Sequence, residues 1–260
     1  MDQLLWYQYL LIGLIFVWSG FVRSGLGFGG AALSLPFLLL IDDRPLLFLP
    51  VIAIHLLVFS ASTVLTNVYR ARHDTATGDP FSAAIDWHYL RYALAIMILP
   101  KLLGVFGLIT LPGELMSGII FAIVSIYAIG YILNRPFRSN SRTVDALFLM
   151  LGGYISGSSL IGAPLIIAVF ANHVEKHRLR DTLFVLWFIL VTIKMAAFLY
   201  AGIDLQLIHQ LWLLPCAAIG HLAGLRLHRR MLDRESPLFF RLLGSALLAI
   251  SLIGISRSLL

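Results

Sequence analysis

Residues 24–36 read SGLGFGGAALSLP and residues 153–164 read GYISGSSLIGAP. Each string interrupts a long apolar run, 4–41 in the first case and 146–171 in the second. A glycine inside a helix costs about 1 kcal/mol relative to alanine, so Gly25, Gly27, Gly29 and Gly30 together mark a break. Gly157, Ser158, Ser159, Gly162 and Pro164 mark another. Hydrocarbon cannot satisfy the amides and carbonyls that such a break releases. Irregular backbone at membrane depth is tolerated only where it is buried in protein or lines a polar cavity.

The surrounding composition makes membrane depth the right setting. The 260 residues are 60% hydrophobic and 12% charged, with mean hydropathy +0.92. Soluble domains carry roughly 25% charged residues, and a chain of this length cannot hide so much apolar surface from water. Soluble, disordered and disulfide-stapled classes are excluded, leaving an all-α polytopic membrane protein. Cys216 is the only cysteine, so no internal disulfide or paired-cysteine metal site is available. No metal site and no cofactor are expected. The first apolar run has no basic region before it and is read as a retained segment.

Six further runs are long enough to span singly: about 46–69, 89–111, 114–133, 182–202, 206–226 and 238–256. The chain has a net charge of +6, and 11 of its 19 Lys and Arg residues lie in loops 70–88, 134–145, 172–181 and 227–237, whereas loops 111–114 and 203–206 hold no Lys or Arg. Such alternation is a topology signal rather than a nucleic-acid surface, and it places the basic loops in the cytoplasm. Loops 134–145 and 172–181 are both basic, so the run between them crosses an even number of times, as a re-entrant hairpin. A broken single span is the alternative. Parity puts the N- and C-termini outside.

The two interrupted runs align at an offset of 133. Downstream, Ile85-Asp86-Trp87 resembles Ile203-Asp204-Leu205, and Leu99-Pro100 with Gly104 resembles Leu214-Pro215 with Gly220. The expected organisation is a first repeat over 1–133, a cytoplasmic linker over 134–145 and a second repeat over 146–260. Each repeat is an interrupted hairpin plus three transmembrane helices, about 8–10 membrane segments in all. Three spans per half invert one repeat relative to the other, the pattern of secondary transporters with a midplane site between the repeats.

All 13 acids lie in loops or at span ends, but Lys101, Lys194, His55 and His221 fall inside spans and Arg23 enters the first break. A charge at that depth demands a partner. Either the lysines are neutral or their counter-charge arrives as a bound anion, and half-helix N-termini favour the second. The candidate substrate site is Arg23, Ser24, Gly25, Gly27, Gly29, Gly30, Lys101, Ser158, Ser159, Gly162 and Lys194, with His55 and His221 as proton-coupling candidates. Structural alternatives exist for each: Arg23 at a hairpin mouth, Lys101 donating to a carbonyl freed by Pro100, Lys194 snorkelling, and packing roles for the histidines. An anion channel is a competing function. An intramembrane serine hydrolase built on Ser156 and His221 is another, but the duplicated architecture gives it no support.

The two glycine strings, with the Ile-Asp pairs at 85–86 and 203–204, resemble the TauE/SafE family of sulfite and organosulfonate exporter-like permeases over nearly the whole chain. Ser158 and Ser159 depart from the family's glycine richness, which bears on substrate more than on fold. The resemblance implies a multi-pass carrier of the bacterial inner membrane, not an enzyme. It would move small sulfur-containing or carboxylated anions, driven by the proton gradient. The partners implied are that anion and the lipid bilayer, with no nucleic acid; a homo-oligomer is compatible with the sequence.

Overall fold

A computed structural model describes residues 4–26, 30–74, 85–135, 137–231 and 237–258. These form ten helices and, among the described residues, no strand: α1 (Trp6–Leu26), α2 (Gly30–Ile41), α3 (Pro45–Asp74), α4 (Trp87–Thr110), α5 (Gly113–Ile132), α6 (Arg142–Ser159), α7 (Ala163–His173), α8 (Lys176–Tyr200), α9 (Leu207–Met231) and α10 (Pro237–Ser258). Five of them, in α3, α4, α5, α8 and α9, are long and apolar enough to cross a membrane. The expected all-helical polytopic class is the observed one. Both interrupted runs are a longer helix followed by a shorter one, 21 then 12 residues for α1 and α2, 18 then 11 for α6 and α7.

Local chemistry sets the ends. Leu160 caps α6 in the left-handed region at φ 63, and Pro164 opens α7, where a missing N–H costs nothing. Ser141 caps the start of α6 by accepting from the Val144 amide. The first Ile-Asp string opens a helix, Asp86 Oδ1 accepting from the Tyr89 amide in the first turn of α4, whereas Asp204 lies three residues ahead of α9 and its Oδ1 accepts from the Gln206 amide of the preceding turn, both at 2.9 Å.

The chain divides into two compact units. One comprises residues 1–51, 108–137 and 203–260, and the other 52–107 and 138–202. In the first, α1 lies along α9 and α10 along α5. A Cβ on Gly220 would collide with the Val17 carbonyl, and one on Gly20 with that of Ala217. In the second unit α6 lies against α4, with Gly104 against the Tyr154 carbonyl and Gly157 against that of Lys101. Helices in lipid gain nothing from burying apolar surface against one another, so close backbone approach at small residues supplies the association instead. The apolar core of this unit draws Leu90 and Met97 from α4, Leu149 from α6, Phe170 from α7 and Leu186 from α8.

Helix α4 is apolar on its exposed as well as its buried face, unlike a helix of a soluble bundle. On α4 the buried stripe is Leu90, Ala93, Met97, Lys101, Val105 and Leu108, while Leu99, Leu103 and Phe106 are exposed. A lysine on the inward stripe opposite three exposed hydrophobics fits a helix whose outer face meets acyl chains. Gly220→Ala is expected to lower thermal stability by about 1–3 kcal/mol, the usual cost of overpacking. Gly13→Ala, whose nearest neighbour would be an ordinary 3.4 Å away, is expected to change it by less than about 0.5 kcal/mol. Thermal unfolding in detergent measures both.

Candidate functional site

The C-terminal end of α6 is the most unusual polar feature of the second unit. A helix end leaves its last carbonyls without intrahelical donors, and here Ser156, Ser158 and Ser159 are all buried. Lys101 Nζ donates to the Ser156 carbonyl at 3.0 Å and to Ser156 Oγ at 3.1 Å. Lys194 Nζ, from α8, donates to the Ser158 carbonyl at 3.2 Å and lies 5.4 Å from the centroid of the Phe198 ring. Both lysines are 0% exposed, so Lys194 does not snorkel, and Lys101 serves a carbonyl of α6 rather than one freed by Pro100.

Charge decides what this end can do. A helix C-terminus carries the equivalent of about half a negative charge, which favours a cation or a hydrogen-bond donor beside it. Among the described residues no ion pair involves Lys101 or Lys194. Three residues further on, α7 begins at Ala163 with Gly162 as its cap, presenting the positive end of a second dipole. Gly162 is also sterically required, because a Cβ there would strike the Gly152 carbonyl. The hydroxyls of Ser158 and Ser159 donate to the Ile155 carbonyl at 3.2 and 2.9 Å; their oxygens remain as acceptors, so the donors at this end are the lysines.

The corresponding place in the first unit is the end of α1. Arg23 and Ser24 are buried there, and Gly25 lies in the last turn. Gly27 and Gly29 lie outside the described residues. Gly30 opens α2, and its carbonyl accepts from the Ser19 and Ser34 hydroxyls, tying the two arms together. Ser24 Oγ is hydrogen-bonded to His221 Nδ1 of α9. Ser24 and His221, two of the residues expected from the sequence to be functional and 197 positions apart, thus share one hydrogen bond. His55 is on α3 in the other unit, buried, with Phe59 edge-on at 6.3 Å.

Within the first unit a cavity of about 370 Å³ is lined by Arg44, Leu47, Leu108, Met116, Asp204 and other residues, none of them a candidate. Two contacts escaped the sequence reading. Ser156, considered there only as a hydrolase nucleophile, is the acceptor of Lys101. Asp145, placed with the span-end acids, is buried and paired with His173 at 2.8 Å. An acid in the first turn of α6 and a histidine in the last turn of α7 complement the two dipoles, and that pattern was the available signal.

The family model for the sulfite exporter TauE/SafE matches residues 11–254. The chain belongs to the TauE/SafE family. It is a multi-pass membrane transporter of the sulfite-exporter type. No curated protein and no solved structure matches the chain. Membership in TauE/SafE agrees with the architecture: the second broken hairpin, α4, α8 and α9 fall inside the matched range, as does the first broken hairpin from residue 11 onward.

The Ser24–His221 contact can be weighed by a double-mutant cycle. Ser24→Ala and His221→Ala, separately and together, are expected to show a coupling of about 0.5–3 kcal/mol in thermal unfolding. Additive effects would mean that the two side chains do not interact.

Proposed function

We propose that the protein is a secondary transporter of small oxyanions, sulfite or organosulfonates and related sulfur-containing or carboxylated anions, working by proton-coupled alternating access. The observation that carries the reading is the pair Lys101 and Lys194 on the end of α6. Helix-end carbonyls orient the two ammoniums but leave most of their charge uncompensated. An anion with several equivalent oxygens matches two such donors and the α7 N-terminus. Ser24, Arg23 and Gly30 form the counterpart at the end of α1, and His221 there is a candidate proton acceptor alongside His55. An anion channel would share this lining; flux that saturates and answers a counter-gradient marks the carrier.

We also infer the inverted repeats over 1–133 and 146–260, joined by 134–145, from pairwise packing. The first helix of each broken hairpin lies on the second long helix of the other sequence half, α1 on α9 and α6 on α4. The third long helices, α5 and α10, lie on each other, and Val64 of α3 packs with Phe184 of α8. A pseudo-two-fold exchange of the halves maps every one of these pairs onto another or onto itself. Loop charge supports an inner-membrane orientation with the basic loops in the cytoplasm and both termini outside.

Proteoliposome flux tests the substrate assignment. Sulfite and methanesulfonate are expected to enter and a simple cation is not. Lys101→Ala and Lys194→Ala are each expected to reduce anion flux at least about tenfold, a loss of about 1.4 kcal/mol or more. Cation flux without anion flux would overturn the substrate class, and undiminished flux in both variants would overturn the site.

A further inference from the structure

We propose that Leu160 is a specificity-determining residue, its side chain limiting the size of the organic group that a transported anion can carry. This rests on the reading of the break between α6 and α7 as the anion site.

Backbone conformation singles the residue out. Among the described residues, three that are not glycine lie in the left-handed region: Asn134 at φ 51, Leu160 at φ 63 and Gln206 at φ 53. Asn134 is exposed and Gln206 is half-buried, and asparagine tolerates this conformation well. Leu160 is a bulky apolar side chain and is buried. The left-handed region brings Cβ too close to the following carbonyl, a cost that glycine does not carry. At the offset of 133 that aligns the two glycine strings, the counterpart of Leu160 is Gly27. The same chain thus places glycine at the equivalent position of one break and keeps a leucine, against its backbone preference, in the other. Strain of this kind gathers where a side chain has work at a functional site.

The hydrogen bonds around the break tie that side chain to the lysines. The Leu160 amide donates at 3.2 Å to the Ser156 carbonyl, the oxygen that also accepts from Lys101 Nζ. Two residues earlier, the Ser158 carbonyl accepts from Lys194 Nζ. Two residues later, Gly162 caps α7. The break is therefore three residues long, and its side chains are those of Leu160 and Ile161, both apolar. Ile161 is 0% exposed and Leu160 8%, so leucine is the one that keeps accessible surface. An anion whose oxygens reach the lysine amines and the first amides of α7 has the remainder of its body beside residues 160 and 161. No polar side chain of the break meets it there. Hydrocarbon against hydrocarbon is favourable at that place, so the break suits an anion with a short organic group, and the volume of leucine sets how large that group can be.

Relative flux of two sulfonates in proteoliposomes tests this. Methanesulfonate and benzenesulfonate carry the same head group and differ in the bulk of the attached carbon. The wild type is expected to carry methanesulfonate at least about tenfold faster. Leu160→Ala and Leu160→Gly are each expected to raise the ratio of benzenesulfonate to methanesulfonate flux at least about tenfold, a change within reach of losing a few carbons from a pocket wall. Leu160→Met, which conserves volume, is expected to keep the wild-type ratio. A leucine that only fills space would alter stability in these variants and leave the ratio unmoved. Unfolding midpoints in detergent establish that the variants fold, and Leu160→Gly is expected to melt about 2–4 °C above Leu160→Ala because it sheds the left-handed cost. An unchanged ratio in folded Leu160→Ala and Leu160→Gly, with methanesulfonate still carried, would overturn the role of Leu160 and leave anion transport standing. A rise in Leu160→Gly alone would assign the effect to backbone freedom and overturn it too. Absence of methanesulfonate flux in the wild type would overturn the transport reading and this inference with it.

Discussion

A carbonyl that has lost its helical donor, held where no water can reach it, is the constraint on which the rest of this structure depends. At the end of α6 the Ser158 carbonyl is answered by Lys194, and Lys101, from a separate helix, adds a second donor to the Ser156 carbonyl, which also accepts from the Leu160 amide. A neutral donor would satisfy hydrogen bonding equally well. Lysine does so from a neighbouring helix, and it reaches the spot where the chain breaks and α7 begins. The carbonyls orient the two lysine side chains in the protein interior, and the lysines supply hydrogen-bond donors to the end of the interrupted helix.

The glycines that bring α1 against α9 and α6 against α4 serve the same end. Backbone contact at Gly220 and Gly104 leaves no room for side chains between the helices, and it brings His221 and Lys101 within reach of the helix ends they serve. Position 101 lies one turn from Gly104, and position 221 directly follows Gly220. In each unit, packing and polar chemistry are thus set by the same few residues. On the opposite side of α4, Leu99, Leu103 and Phe106 are exposed, so that this helix is apolar outside as well as within, apart from Lys101.

Much of this was legible in the sequence because the bilayer imposes simple rules. Apolar run length located the long helices, the glycine strings located both breaks, and the depth of Lys101 and Lys194 singled them out. What could not be read was rotation and partnership. Depth along a span says nothing about which helix a side chain faces, so the Ser156 and Ser158 carbonyls could not be named as partners of the lysines. The Ser24–His221 contact joins chain segments 197 residues apart, beyond any local pattern. Asp145 was grouped with the solvated span-end acids because its sequence neighbours are basic and polar, and only the return of α7 buries it beside His173. The hydroxyls of Ser158 and Ser159 were expected as substrate donors, yet both serve the Ile155 carbonyl; a serine one turn from a helix end readily bonds backward in this way.

The most direct test of the central claim is anomalous diffraction from crystals of the protein grown with selenate, a heavy oxyanion. The account predicts a peak whose oxygens lie about 2.7–3.2 Å from the ammonium nitrogens of Lys101 and Lys194, the ordinary range for charge-assisted bonds. A selenate peak elsewhere, with both lysines still bound only to the carbonyls of α6, would contradict it.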